Sequence, residues 1–176
     1  MFHYFSVLLS SLLFSSALSA IDVVDYLKGY VGRWVGDFTI HSAATGYSET
    51  FPVEQRYWIE EGKLHGISVS DTDRGMQTAT SVTIIKEGKL RSEVTRGNEK
   101  EAYWGVPHDD GIVWLPADLA RVSDYQLREF FSEEEGELWL QTDGFDTFIF
   151  KEGLAHIVYK GRLKKVADEE VEKLAD

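Results

Sequence analysis

Four histidines follow position 19: His41, His65, His108 and His156, each on a separate segment. None of them stands at His-x-x-x-His spacing, so no local metal clasp is present. His108-Asp109-Asp110 carries ligand-type atoms, but Pro107 and Gly111 bracket it and mark a solvated turn. The chain has no cysteine, which removes thiolate ligands, cysteine nucleophiles and disulfides. There is no Gly-x-Ser-x-Gly elbow, phosphate loop or dinucleotide fingerprint. Asp and Glu number 30, yet no pattern among them selects an acid/base pair. No catalytic residue and no metal ligand is therefore assigned.

Aromatic residues carry the clearer functional signal. They fall on nearly every apolar run, and Tyr57-Trp58, Tyr103-Trp104 and Phe130-Phe131 place a ring on each face. Most of them must fill a core. A barrel can also hold a small ligand in a mouth lined by rings and a few polar groups. The residues expected to line such a site are Tyr57, Trp104, Trp114, Tyr125, Arg128 and Trp139. The expected partner is a small apolar molecule.

The elements that must position these side chains are strands. Gly32-Arg33-Trp34-Val35-Gly36-Asp37-Phe38-Thr39-Ile40 alternates, with Trp34, Phe38 and Ile40 on one face. Gly32 and Gly36 flank the indole, as where a strand bends and a large ring seals a barrel end. Similar runs recur to residue 166, and the helical segments that a parallel sheet needs are absent. Two of the runs are Leu138 to Thr142 and Phe145 to Phe150. Glu61-Gly62, Glu87-Gly88, Glu135-Gly136 and Glu152-Gly153 separate apolar runs and read as hairpin turns. The fold expected is all-β: an antiparallel up-and-down β-barrel of about 8–10 strands. A short helix over 22–31 precedes it. The acidic segment 166–176 is either a short amphipathic helix or a frayed end.

Residues 1–19 contain no Asp, Glu, Lys or Arg, and Ala17-Leu18-Ser19 has small residues at the −3 and −1 positions. This pattern resembles a secretory signal peptide, although it has no basic residue at its start. The expected organisation is a signal over 1–19 and one barrel domain over 20–176. The mature protein is then secreted or periplasmic, without stable membrane insertion. A net charge of −12 argues against an electrostatic grip on nucleic acid.

A short helix, then Gly32-Arg33-Trp34-Val35-Gly36-Asp37-Phe38, then an antiparallel meander, resembles the lipocalin-like or calycin group. The likeness is to its small bacterial lipocalin-like domains of unknown function. The resemblance implies a Trp packed at the closed barrel end beneath an Arg from the last strand, here Arg162. Gly32, Trp34, Gly36 and Arg162 thus form the expected structural motif. It implies ligand binding without catalysis and without a cofactor. Nitrobindin-type barrels share the Gly-x-Trp-x-Gly opening and ligate haem through a last-strand His. The alternatives are therefore a haem-binding or enzymatic barrel using His156 or His65, or an interaction module with a solid core.

Overall fold

The computed structural model describes residues 23–108, 110–150 and 153–167. Its first element is α1, Val23–Tyr30. Leu27 and Tyr30 are buried and Val23 and Tyr26 partly so, forming the apolar stripe of an amphipathic helix. Asp25 and Lys28 pair at 2.7 Å on its solvent side. The helix closes with the Val31 N–H donating to the Lys28 carbonyl at 3.1 Å. Gly32 then turns the chain at φ 119°, a conformation that a side chain would strain.

Ten strands follow: β1 Gly32–Ser42, β2 Ser48–Glu60, β3 Lys63–Thr72, β4 Gly75–Lys86, β5 Lys89–Arg96, β6 Glu99–His108, β7 Gly111–Pro116, β8 Tyr125–Glu134, β9 Glu137–Phe150 and β10 Gly153–Val166. Each pairs antiparallel with the next, and β10 returns to β1. The result is a closed up-and-down barrel, with no free edge among the described strands. Its architecture is compatible with a calycin-like fold. Among the described residues no helix is long and apolar enough to cross a membrane.

Three of the four Glu-Gly pairs are tight turns, and Glu152 of the fourth lies outside the described residues. Glu61, Glu87 and Glu135 have φ of 49, 53 and 54°, and Gly62, Gly88 and Gly136 have φ of 72, 73 and 80°. Two successive left-handed residues make a type I′ turn, whose twist matches that of paired strands. These turns lie at the same barrel end as α1. The longer connections, 43–47 and 117–124, lie at the other end and form its mouth.

One boundary differs from the sequence pattern. Leu138 to Thr142 and Phe145 to Phe150 form a single strand, β9, running straight through Asp143-Gly144. Gly144 marks a close approach, not a turn. A Cβ there would lie 2.2 Å from the Gln126 carbonyl oxygen on β8. The expected leader (1–19) and C-terminal helix (166–176) lie outside the described residues, except that Val166 ends β10.

Period 2 divides every strand into an inward and an outward face. At the helix end the inside is packed solid by Trp34, Leu64, Leu90, Ile112, Leu140 and Leu163. Trp34 is 0 % exposed and donates its Nε1–H to the Tyr30 carbonyl at 2.7 Å. It stacks on Phe131 with centroids 5.6 Å apart. Gly36 lets β1 and β10 touch, since a Cβ there would lie 2.1 Å from the Arg162 carbonyl oxygen.

The cation over Trp34 is Lys165, not Arg162. Lys165 lies directly opposite Trp34 on β10, with Nζ 5.2 Å from the indole centroid, and donates to the Gly29 carbonyl at 3.1 Å. Arg162 pairs with Asp37 in the register and so has outward parity. It lies 4.1 Å over the Trp139 ring and bridges to Glu134.

Candidate functional site

Above the solid end, a cavity of about 180 Å³ lies inside the barrel. Its walls come from β2 through β8 and from Tyr30 of α1. The sides formed by β1, β9 and β10 contribute no lining, because Phe38, Leu140, Thr142 and Leu163 fill them. The cavity is therefore off-centre.

Three of the six expected site residues reach it: Tyr57, Trp114 and Tyr125. Tyr57 lies across from Gly66, where a Cβ would sit 2.6 Å from the ring, so glycine there makes room for the phenol. Its hydroxyl donates to Gln55 at 3.1 Å. The other three lie outside the barrel. Trp104 lies under Arg91 at 5.2 Å, and Trp139 under Arg162. Arg128 covers Phe130 at 4.4 Å and pairs with Asp110 at 2.8 Å. Strand parity is the reason. Each aromatic doublet sends one ring in and one out, so Tyr57, Tyr103 and Phe131 face inward while Trp58, Trp104 and Phe130 face outward.

A carboxylate absent from the expected set sits at the cavity floor. Glu129 on β8 accepts from Trp114 Nε1–H at 2.6 Å and from the Tyr30 hydroxyl at 3.1 Å, both on Oε2. The Tyr26 hydroxyl fixes its backbone carbonyl at 3.1 Å. Protein surrounds Glu129 on every side, yet it keeps accessible surface, because that surface opens on the cavity. Desolvation pushes its carboxyl pKa up, and the two donors pull it back only in part. The inward run Tyr125, Leu127, Glu129, Phe131 is the signal that marks it: an acid in an apolar period-2 slot.

The neighbouring phenols stay neutral. Burial, then the Glu129 charge, raises Tyr57 well above the ordinary phenol range. Burial also raises Tyr30 and Tyr125. Hydroxyls line the opposite wall, where Thr83 Oγ1 donates to Ser92 Oγ at 3.0 Å.

A band of alternating charge crosses the barrel toward the mouth. Arg96 meets Glu101 at 2.9 Å, and Arg121 meets Glu101 at 3.6 Å and Asp146 at 2.6 Å. Arg121 comes from a 3-10 turn, Leu119–Arg121, capped by Asp118 at 2.9 Å. It ties the β7–β8 connection to both β6 and β9. The Tyr103 hydroxyl donates to Glu101 at 2.8 Å, and burial pushes that phenol up to about 12.

His65 and His156 do not point into the cavity. His65 stacks outside on Trp58 at 5.5 Å, and exposed His156 meets Thr147 Oγ1 at 3.1 Å through Nδ1. Among the described residues, no group of three or more His, Cys, Asp or Glu is placed to hold a metal ion.

No family model and no curated protein sequence matches the chain.

Proposed function

We propose that this chain is an exported, lipocalin-like barrel that binds one small organic molecule and carries out no reaction on it. The observation that supports this reading is the partly open cavity of about 180 Å³ within a closed barrel. Drug-sized ligands need about 300–1,000 Å³, whereas benzene fits an engineered cavity of about 150 Å³. The ligand is thus about one ring in size. The rings of Tyr30, Tyr57, Trp114 and Tyr125 supply the apolar contact expected for an apolar ligand. The hydroxyls of Ser68, Ser81, Thr83 and Ser92 add a polar wall, so the ligand has a polar edge as well. A catalytic reading has less support, because the groups that Glu129 meets among the described residues are the Trp114 indole and the Tyr30 phenol.

Single-ring compounds should bind saturably at one site, quench tryptophan emission through Trp114, and raise the melting temperature as RT ln(1 + [L]/Kd) requires. Ala79 also lines the cavity. Ala79→Phe should abolish binding while the barrel stays folded. Unchanged binding in that variant places the ligand elsewhere and refutes the reading.

A further inference from the structure

We infer that the cavity selects an organic ammonium ion, with the Glu129 carboxylate as its counter-ion and the surrounding rings as its cage; this rests on the small-molecule reading above. Three observations lead there. First, both hydrogen bonds that Glu129 receives end on Oε2. Among the described residues no protein donor meets Oε1, which is left to the cavity. An ammonium group carries three donors and full positive charge, so it satisfies that oxygen and neutralises a desolvated charge together.

Second, the side chains nearest this carboxylate are aromatic rings. Tyr30 and Tyr57 meet edge to face with centroids 5.4 Å apart, and Trp114 is held against Glu129 by its own N–H. Electron-rich faces attract an organic cation, and most strongly when water is excluded. A hard metal ion is served poorly here, because magnesium and calcium take about six or more oxygen ligands. One carboxylate, with the hydroxyls of Thr83 and Ser92 paired to each other on the opposite wall, does not provide them.

Third, the opposite charge is kept away from the floor. The guanidinium of Arg96 lines the same cavity but is drawn to Glu101 at 2.9 Å. Arg121 is likewise held by Glu101 and Asp146, so an anionic ligand would have to compete with these pairs and then lie against Glu129. The arrangement favours a primary or secondary amine on a compact ring, with its ammonium at Glu129.

The test uses three probes of one shape: benzylamine, benzyl alcohol and benzoate, titrated into the purified protein at neutral pH by calorimetry. Either probe can donate to the carboxylate, but only the amine adds an ion pair in a water-poor cavity, so benzylamine should bind at least about tenfold more tightly than benzyl alcohol. Benzoate should bind weakest. Glu129→Gln keeps the shape and should bring benzylamine down to the level of benzyl alcohol, so that the amine preference disappears. Carbon-13 NMR of the Glu129 carboxyl in the unaltered protein needs no variant, and its shift should move with the amine and not with the alcohol. If benzyl alcohol or benzoate binds as well as the amine, or if Glu129→Gln keeps the amine preference, the inference is overturned and the small-molecule reading survives. If none of the three binds, both fall.

Discussion

A carboxyl group walled in by phenols and an indole holds its proton more tightly than one in water. Tyr26 and Tyr30 of α1, Tyr57 of β2 and Tyr125 of β8 surround Glu129, and all four phenols are themselves shifted up. The charged pair of Arg128 with Asp110 lies on the outer face. The folded pKa of Glu129 is therefore raised above 4.5. A raised acid contributes its full stability below the unfolded pKa and loses it as pH rises through the folded value. Glu129→Gln mimics the protonated form and can still accept from Trp114 and Tyr30. Denaturant midpoints of the two proteins should agree near pH 4, and the Gln variant should gain on the original as pH rises to 7. Parallel pH profiles would show that Glu129 titrates normally. This residue was readable in principle, because it breaks the apolar alternation of β8. The β6 pattern points the other way. Ala102, Trp104 and Val106 make the more apolar face, yet they face out, and Glu101, Tyr103 and Gly105 face in. A polar interior inverts the rule that the apolar face is the buried one, so Trp104 is misplaced by periodicity alone.

Packing decides the closed end at the scale of elements. The α1 helix contributes Tyr30, β1 contributes Trp34, β8 contributes Phe131 and β10 contributes Lys165. Trp34→Ala should cost about 3–5 kcal/mol, the range for a large ring removed from a core. Lys165→Met removes a cation at an indole face and a bond to a helix-end carbonyl, and should cost about 1–2 kcal/mol. The two changes should be non-additive by at least about 0.5 kcal/mol in a double-mutant cycle, because the groups touch. Arg162→Ala should be additive with Trp34→Ala, since Arg162 serves Trp139 and Glu134 outside. Additivity of the Lys165 pair would mean that the cation does not stabilise the plug. The turns carry a separate prediction. Glu is a poor fit to a left-handed position that Asn tolerates. Glu61→Asn, Glu87→Asn and Glu135→Asn should each raise stability by up to about 1 kcal/mol in urea denaturation. A loss at all three would show that the Glu side chains matter to the turns. The Glu-Gly turns and the Trp34 strand were legible because both are local signals. The choice of Lys165 over Arg162 was not, since it depends on the register between β1 and β10, which are separated by more than a hundred residues of chain.

Closure is a property of the whole molecule, and it bears on where this protein can work. Pairing of β1 with β10 leaves no strand edge for another chain to join. A net charge of −12 adds repulsion between copies. With no cysteine, the fold holds equally in reducing and oxidising surroundings. These features leave the compartment open, and the export proposed above rests on the uncharged start of the chain. The first described helix begins at Val23, so a cut after Ser19 leaves every described element in place. All the charged residues lie after position 19, so a chain cut there would keep the whole −12. Two measurements then check one idea. Residues 20–176 produced alone should fold to a denaturation midpoint that does not change with reductant. The protein recovered from an exporting host should begin at Ala20 or Ile21, by N-terminal sequencing, and remain in the soluble fraction outside the cytoplasm. An intact Met1 on a membrane-bound product would refute export, because the first nineteen residues would then be an anchor held by the apolar runs at Val7-Leu8-Leu9 and Leu12-Leu13-Phe14. In that case the barrel would work tethered beside a bilayer, and its ligand would be sought among molecules that reach the membrane surface.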